Sequence, residues 1–219
     1  MDTLGLLLAS ELFRHFDPDV VARIATTARE LSFGRNDKVF GEGDDADALY
    51  VVRSGRIAIS NRSRDGRESV VALMEEGDLF GDMGLFDGEG RSAEARALEP
   101  SALVCVPYPP IRAMFDADPG LLWTVVAFLS HRLRTTDSVL ADAVFLDVTG
   151  RTAKRILEMA GDADEFVMPL TQEELASMVG ASRERVNKAI AAFVKLGWIA
   201  QSDRRYHITN RDELERRSR

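Results

Sequence analysis

The sequence has only one cysteine, Cys105, and only three histidines among its 219 residues. A single cysteine excludes an internal disulfide bond, and it excludes a zinc or iron-sulfur site that needs several thiolate ligands. Residues 34–106 contain no histidine, so a metal-dependent enzyme built from that part of the chain is not expected either. We therefore expect no metal and no cofactor.

Long apolar runs are also lacking. The longest, residues 121–129, is interrupted by Thr124 and is well short of the roughly 18 to 20 residues that a membrane helix needs. The leucine-rich start of the chain follows Asp2 instead of a basic segment, so a signal peptide is not expected. Together with the single cysteine, these features predict a cytoplasmic protein without a membrane partner.

Motifs typical of enzymes are missing as well. The glycines Gly88 and Gly90 enclose no nucleophilic serine, and Cys105 lies between two valines, as a buried core residue would. The chain contains neither a phosphate-binding loop that ends in Gly-Lys-Ser/Thr nor a dinucleotide fingerprint. We expect a protein that is not an enzyme.

Charge is present but unevenly distributed. Residues 1–149 carry 15 Lys+Arg and 25 Asp+Glu, whereas residues 150–219 carry 13 and 11, so only the C-terminal segment is mildly basic. The net charge of −8 argues against nucleic-acid binding by the chain as a whole. The asymmetry indicates two functions divided along the sequence.

Residues 34–106 consist of short apolar runs separated by glycine- and aspartate-rich turns, for example at Ser54-Gly55 and Asp65-Gly66. Such runs, with turns every ~8 to 12 residues, predict a small antiparallel barrel or jelly roll. The runs are residues 48–53, 57–59, 69–74, 78–80, 93–97 and 102–106. Before them, Asp17-Pro18 predicts the start of a short helix that ends near Leu31.

The apolar period changes from two to about 3.5 after residues 107–110, which predicts a longer helix beyond them. An alternation of four and three residues is typical of a helix that packs against a second helix in a dimer. The stripe consists of Leu122, Val126, Leu129, Leu133, Thr136, Leu140 and Ala143. The alternative is packing on the chain's own barrel, and we assign that role to the bulky residues Trp123, Val125 and Phe128 on the other face.

The last third of the chain predicts a winged helix-turn-helix. Residues 147–150 interrupt the helical pattern and mark a domain boundary, and residues 152–159 form a helix beyond it. Thr171 and Glu174 have the spacing of a capping box at the start of the next helix. Gly180 supplies a turn, Ser182 caps a second helix, and residues 198–201 and 206–209 flank the turn of a two-stranded wing.

The second helix of this motif has an outer face suited to DNA bases. Arginine pairs with guanine, glutamate accepts from cytosine, and lysine donates to guanine in the major groove. The outer residues are Arg183, Glu184, Asn187 and Lys188, and the residues placed to meet phosphates are Thr171, Ser182, Arg204 and Arg205. The alternative is an ordinary charged helix surface, which the adjoining cap, turn and basic wing make less favourable.

A second candidate site lies in the barrel region. Glycines near residue 81 allow a backbone to approach an anion closely, and Arg91 and Ser92 offer donors that a phosphate requires. The spacing alone is also compatible with a surface loop whose arginine makes a salt bridge.

The order of these features resembles the CRP/FNR family of bacterial transcription regulators, and within it the cyclic-AMP receptor branch of the actinobacterial type. The resemblance covers almost the whole chain. It is carried by Phe80-Gly81-Asp82, Gly84-Leu85-Phe86, Arg91-Ser92-Ala93, and residues 145–151, 170–176 and 179–184. The other branches fit less well, since oxygen sensors need several cysteines and heme sensors need axial ligands.

The resemblance implies a ligand pocket for a cyclic nucleotide. The backbone at Gly81 and Met83 and the side chains of Arg91 and Ser92 would hold the cyclic phosphate. Asp82 stands where the family has a glutamate that binds the ribose 2′-hydroxyl. Thr136 and Asp137 stand where polar residues from the long helices of both subunits contact the adenine. Cyclic AMP is the expected effector; cyclic GMP or ligand-independent regulation is the alternative, because both aspartates differ from the family pattern.

The resemblance also implies the architecture and the partners. We expect an α+β protein with a cyclic-nucleotide-binding jelly roll at residues 1–118, a dimerisation helix at 119–146 and a winged helix-turn-helix at 147–219. A homodimer would bind a palindromic operator of the TGTGA type, with half-sites about one helical turn apart, and RNA polymerase would be a further partner. The alternative from another class is an interaction module that recruits a protein instead of DNA.

Overall fold

The structure is a computed structural model, and it describes residues 1–62 and 68–219; the turn predicted at Asp65-Gly66 lies outside the described residues. The chain divides into two compact units. The first contains Met1–Arg62 and Val71–Leu133, and the second is built mainly from Arg134–Arg219.

The strands of the N-terminal part are β1 (Arg29–Phe33), β2 (Lys38–Phe40), β3 (Ala48–Ser54), β4 (Ile57–Arg62), β5 (Glu68–Met74), β6 (Leu79–Phe80), β7 (Glu94–Ala97) and β8 (Ser101–Pro107). They form two antiparallel sheets, with strand orders β1-β8-β3-β6 and β2-β7-β4-β5. The helices are α1 (Thr3–Ala9), α2 (Pro18–Ala25), α3 (Met83–Asp87), α4 (Tyr108–Ala117) and α5 (Leu122–Phe145), with 3-10 turns at Phe13–His15 and Pro119–Leu121. This arrangement confirms the predicted jelly roll.

The core has two layers, and strand β3 belongs to both. Successive side chains of a strand point to opposite faces. Leu49 and Val51 therefore pack with the helices, whereas Tyr50 and Val52 pack against the second sheet. Burial on both faces explains why this strand is continuously apolar in the sequence.

The prediction that the helix beginning at Pro18 continues to near Leu31 is wrong for its C-terminal half. Helix α2 ends at Ala25, and residues from Arg29 onward form β1, which pairs with β8. Four of the five residues of β1 are exposed, so burial of its side chains gives little support to a strand there. The ladder to β8 decides the structure there, because its backbone groups find partners in that strand.

Helix α5 confirms most of the predicted pattern. Val125 and Phe128 are buried in the helix-covered core, but Trp123 is 77% exposed, so its predicted packing on the barrel is wrong. Val125 and Phe128 are three positions apart, which places them on one face of the helix. Trp123 lies two positions before Val125 and therefore about 200° around the helix. No helix in the described ranges is both long enough and apolar enough to cross a membrane.

The second unit contains the winged helix-turn-helix. Its elements are α6 (Val148–Ala160), β9 (Glu165–Val167), α7 (Gln172–Val179), α8 (Arg183–Lys195), β10 (Ile199–Ser202), β11 (Arg205–Ile208) and α9 (Arg211–Arg217). The three strands form a sheet in the order β10-β11-β9. The predicted interruption at residues 147–150 is narrower than expected, since Asp147 is the N-cap and α6 begins at Val148. Strand β9 adds to the two predicted wing strands.

Candidate ligand site and nucleic-acid interface

The turn between β6 and α3 brings a backbone carbonyl to Arg91. Gly81 has φ +75°, a conformation that favours glycine. A Cβ at this position would lie 2.8 Å from the Nη1 of Arg91. Glycine is therefore required both by the turn and by the close approach of the guanidinium group.

Arg91 is fixed at both its backbone and its side chain. Its N–H donates to the carbonyl of Asp44, and its own carbonyl accepts from the N–H of Gly43, each at 2.8 Å. The side chain is only 3% exposed, and the guanidinium carbon lies 4.3 Å from the ring centroid of Phe40. Stacking on an aromatic ring compensates part of the cost of removing this cation from water.

Tyr108, the first residue of α4, completes this environment. Its hydroxyl donates to the carbonyl of Gly81, and the Nη1 of Arg91 donates to the hydroxyl oxygen at 3.2 Å. Burial raises the pKa of Tyr108 above its ordinary value, so the hydroxyl keeps its proton at neutral pH. The structure thus joins three segments at one guanidinium group.

Of the predicted ligand contacts, Gly81 and Arg91 are in direct contact, with the Nη1 of Arg91 donating to the carbonyl of Gly81 at 2.8 Å. Ser92 and Met83 are exposed, and the Ser92 hydroxyl lies 3.2 Å from the Sδ of Met83. All four belong to the first unit. Their contacts with a ligand stay predictions.

Asp82 is buried and paired with a residue that the sequence analysis did not single out. Its carboxylate is 1% exposed and accepts from the Nη1 of Arg132 at 2.8 and 3.0 Å. The Nη2 of the same arginine donates to the carbonyl of Leu79 at 2.9 Å, and its guanidinium carbon lies 4.8 Å from the Phe128 ring. The ribose contact predicted for Asp82 would therefore be made by a carboxylate that already binds an arginine.

Removing Arg132 should destabilise the first unit, because it leaves the buried Asp82 carboxylate without its cation. We expect Arg132→Met to lower the free energy of unfolding by about 3 kcal/mol, the lower end of the range for a broken buried pair. Arg132→Met with Asp82→Asn should recover much of that loss. Urea unfolding measures the stability of both variants. Arg134→Met is the control, because Arg134 is an exposed arginine of the same helix. Equal stability of Arg132→Met and wild type would contradict the pairing.

Thr136 and Asp137 lie on the part of α5 that belongs to the second unit, and both are exposed. They are consecutive, so their side chains diverge by about 100° around the helix. The contact with adenine predicted for this pair is not tested by these observations and stays a prediction.

Helices α7 and α8 form the predicted helix-turn-helix. The capping box is present: Glu174 N donates to Thr171 Oγ1 at 3.2 Å, and Thr171 N donates to Glu174 Oε2 at 2.8 Å. Gly180 ends α7 with φ +69°, and Ser182 caps α8 by accepting from the N–H of Arg185. These local signals allowed the start of both helices to be predicted from the sequence.

The burial of α8 divides its two faces as predicted. The inward residues are Val186, Ala189, Ile190 and Phe193, all buried. The outward residues are Arg183, Glu184, Asn187 and Lys188, all exposed. The outward side chains lie in the first two turns of the helix, the part that enters the major groove in helix-turn-helix proteins. Their contacts with bases, like the phosphate contacts of Thr171 and Ser182, stay predictions.

The two wing arginines differ in their surroundings. Arg204 donates from Nη2 to the carbonyls of Met168 at 2.8 Å and Pro169 at 2.9 Å, which ties the wing turn to the segment before α7. Arg205 is exposed at the start of β11. Both remain predicted phosphate contacts, but only Arg204 also has this structural role.

The turn before α6 is held by the C-terminal helix. The Asp147 carboxylate accepts from the Gly150 N–H at 2.8 Å and from the Nη2 of Arg217 at 2.5 Å. A Cβ on Gly150 would lie 3.0 Å from the carbonyl oxygen of Arg217, so a glycine suits this contact. Arg151 donates to the carbonyls of Leu146 and Val179, at 2.6 and 2.8 Å, and so joins the ends of α5 and α7.

The Asp147 carboxylate should make the stability of the second unit depend on pH. The Gly150 N–H and then Arg217 hold the pKa of this carboxyl below its ordinary value. Its contribution is therefore complete above the unfolded pKa and is lost as the pH falls through the folded one. We expect Asp147→Ala to cost about 1 kcal/mol at pH 7 and less at pH 3. Urea unfolding measures the difference, with the exposed Asp162→Ala as control; a pH-independent cost would contradict this.

The residues that sequence reasoning missed are mainly partners distant in the chain: Phe40, Tyr108, Arg132, Arg151 and Arg217. Arg132 offered one signal, since it lies four residues before Thr136 on the same helix face. Arg151 was part of the resemblance without an assigned role. Tyr108 and Arg217 had no local pattern that could have revealed them.

Comparison with known proteins agrees with this geometry. Residues 30–118 match the cyclic nucleotide-binding domain family, and residues 150–217 match the Crp-like helix-turn-helix domain family. These two domains define a DNA-binding transcription regulator with a cyclic nucleotide-binding domain.

Relatives in sequence identify the family. The chain is 35% identical to a CRP-like cAMP-activated global transcriptional regulator of Mycobacterium tuberculosis, over 98% of this chain and 99% of that protein. It is 32% identical to the cAMP-activated global transcriptional regulator Vfr of Pseudomonas aeruginosa, over 72% of this chain and 78% of that protein. The structure of FixK2 from Bradyrhizobium japonicum shares the fold, with TM-score 0.80 and 21% identity over 88% of this chain and 98% of that one. The chain belongs to the CRP/FNR family of transcription regulators, as the sequence resemblance predicted.

Proposed function

We propose that this chain acts as a homodimer, binds a palindromic operator, and changes its operator affinity when cyclic AMP binds. A cytoplasmic location accompanies that role. The observation that carries the proposal is the buried Arg91 beside Gly81, in a matched cyclic nucleotide-binding domain, with the exposed α8 surface on the same chain. A ligand can change DNA affinity only as far as it binds one arrangement of the protein better than another.

Cyclic AMP is the effector that the relatives favour, since those of Mycobacterium tuberculosis and Pseudomonas aeruginosa are named as cAMP-activated. Arg91 supplies a cation for the cyclic phosphate, and Thr136 and Asp137 supply acceptors for the exocyclic amine of adenine. Asp137 would equally accept from the N1 and N2 of guanine. Cyclic GMP is therefore the second candidate, and the carboxylate of Asp137 is the feature that favours it.

The homodimer is supported by the apolar stripe of α5 that the sequence predicts to pack against a second helix. Its large apolar residues are exposed in the single chain, namely Leu122, Val126, Leu129, Leu133 and Leu140. A stripe of this length repeats at the spacing of a two-helix seam. Contiguous exposed apolar surface of this kind marks a protein interface.

DNA binding is supported by the polar first turns of α8 and by the exposed Arg205. Two copies related by a twofold axis would place two such helices in successive major grooves, so the operator would be palindromic. RNA polymerase is a further partner that the role of the family suggests.

Two experiments test the proposal. Calorimetry of the full chain with cyclic AMP and cyclic GMP side by side should show binding of cyclic AMP, and of cyclic GMP only weakly. Retardation of a palindromic duplex with TGTGA half-sites should fall steeply as salt increases. Absence of retardation, with intact cyclic nucleotide binding, would favour the interaction module that recruits protein.

A further inference from the structure

Among the described residues, the hydrogen bonds that the guanidinium group of Arg91 donates all come from Nη1. Its Nη1 donates to the carbonyl of Gly81 at 2.8 Å and to the hydroxyl of Tyr108 at 3.2 Å. Arginine has five N–H donors in a rigid plane, two of them on Nη1. These two contacts therefore use the donors of Nη1 and leave those of Nε and Nη2.

The remaining edge lacks a strong partner. The Nε of Arg91 is buried and has no hydrogen-bond partner among the described residues. The Nη2 has an ion pair with Asp47, but at 3.6 Å, and the Asp47 side chain is 87% exposed. A buried donor without a partner is costly, so its retention indicates a group that binds there. The Nε and Nη2 donors are parallel, and this geometry suits two oxygens of one phosphate.

Tyr108 is placed to keep this orientation. Its hydroxyl both accepts from Arg91 and donates to the carbonyl of Gly81, so the three groups form a closed set of hydrogen bonds. The backbone N–H of Tyr108 also donates to the carbonyl of Asp47 at 2.8 Å. The backbone of Tyr108 is thus held by the residue before β3, and its hydroxyl is held by the glycine turn.

We propose that Tyr108 is a positioning residue for phosphate recognition: with the Gly81 carbonyl it anchors Nη1, so that the Nε and Nη2 of Arg91 face the cyclic phosphate. Asp47 is a carboxylate at the same edge and competes with the phosphate for Nη2. This inference rests on the proposed binding of a cyclic nucleotide, and it assigns the two residues opposite effects on that binding.

The test is calorimetry of the full chain with cyclic AMP. Tyr108→Phe keeps the ring and removes the hydroxyl, and we expect about five- to tenfold weaker binding. Asp47→Asn removes the competing charge, and we expect about threefold tighter binding. Tyr50→Phe is the matched control, because the Tyr50 ring lies 5.6 Å from the guanidinium carbon of Arg91, while the hydrogen bonds that this group donates among the described residues go to Gly81 and Tyr108 and not to the Tyr50 hydroxyl. It should leave the affinity unchanged.

A double-mutant cycle separates positioning from a merely structural role. In an Arg91→Gln background, Tyr108→Phe should change the affinity by less than about twofold, because the group that it orients is gone. The same loss in both backgrounds, or unchanged or tighter binding by the single variant, would overturn the inference. If the wild-type chain binds neither cyclic AMP nor cyclic GMP, the proposed function itself fails, and the inference fails with it.

Discussion

Replacing Arg183 with alanine is expected to abolish the preference for one base pair in each half-site of the operator. Arg183 is exposed at the first position of α8, where a bidentate contact with guanine is possible. We expect a loss of roughly 1 to 3 kcal/mol for each half-site, with the loss confined to the preferred base. Binding measurements on duplexes that carry each of the four base pairs at every half-site position give both the loss of affinity and the remaining base preference.

Two other substitutions make this result specific. Arg205→Ala should weaken all sequences alike and reduce the salt dependence by about one phosphate contact. Lys195→Ala is the control on the same helix, ~18 Å further along α8 at its last residue, and should change neither property. If Arg183→Ala kept the base preference of the wild type, the assignment of α8 to base recognition would be wrong.

Replacing Arg91 with glutamine should nearly abolish cyclic nucleotide binding. The substitution removes the buried cation and its fork of donors and leaves a shorter, uncharged polar side chain. We expect an affinity for cyclic AMP that is about 100-fold lower, since two charge-assisted hydrogen bonds are lost. Calorimetry measures this loss directly.

The controls distinguish a lost contact from a lost fold. Arg91→Lys keeps the charge without the planar fork and should lie between glutamine and wild type. Arg96→Gln removes an arginine of β7 that pairs with Glu94, and it should bind cyclic AMP like the wild type. Circular dichroism should show the native sheet in all three variants. Wild-type affinity in a folded Arg91→Gln chain would exclude Arg91 from the ligand site.

Much of this fold was visible in the sequence because the signals are local. The apolar run of β3, the change of period at α5 and the capping box at Thr171 each depend on residues a few positions apart. Strands β1 and β9 were missed because they are short and largely exposed. Their structure comes from pairing with distant strands, and three to five residues are too few for a local pattern to indicate it.

The candidate sites divide in the same way. The glycine turn at residue 81 and the outer face of α8 follow from composition and spacing. The pairing of Asp82 with Arg132 spans 50 positions, and that of Asp147 with Arg217 spans 70. Such pairs depend on the tertiary fold, so a buried carboxylate and a distant arginine cannot be matched from one sequence. The orientation of Arg91 toward Tyr108 is of this kind as well.

Operator affinity measured with and without cyclic AMP tests the central claim, that the two sites are coupled. We predict that saturating cyclic AMP tightens binding of the palindromic duplex by about 5- to 150-fold. Linkage requires the duplex to tighten cyclic AMP binding by the same factor. Identical operator affinities in the presence and absence of the nucleotide, with the nucleotide shown to be bound, would contradict the account.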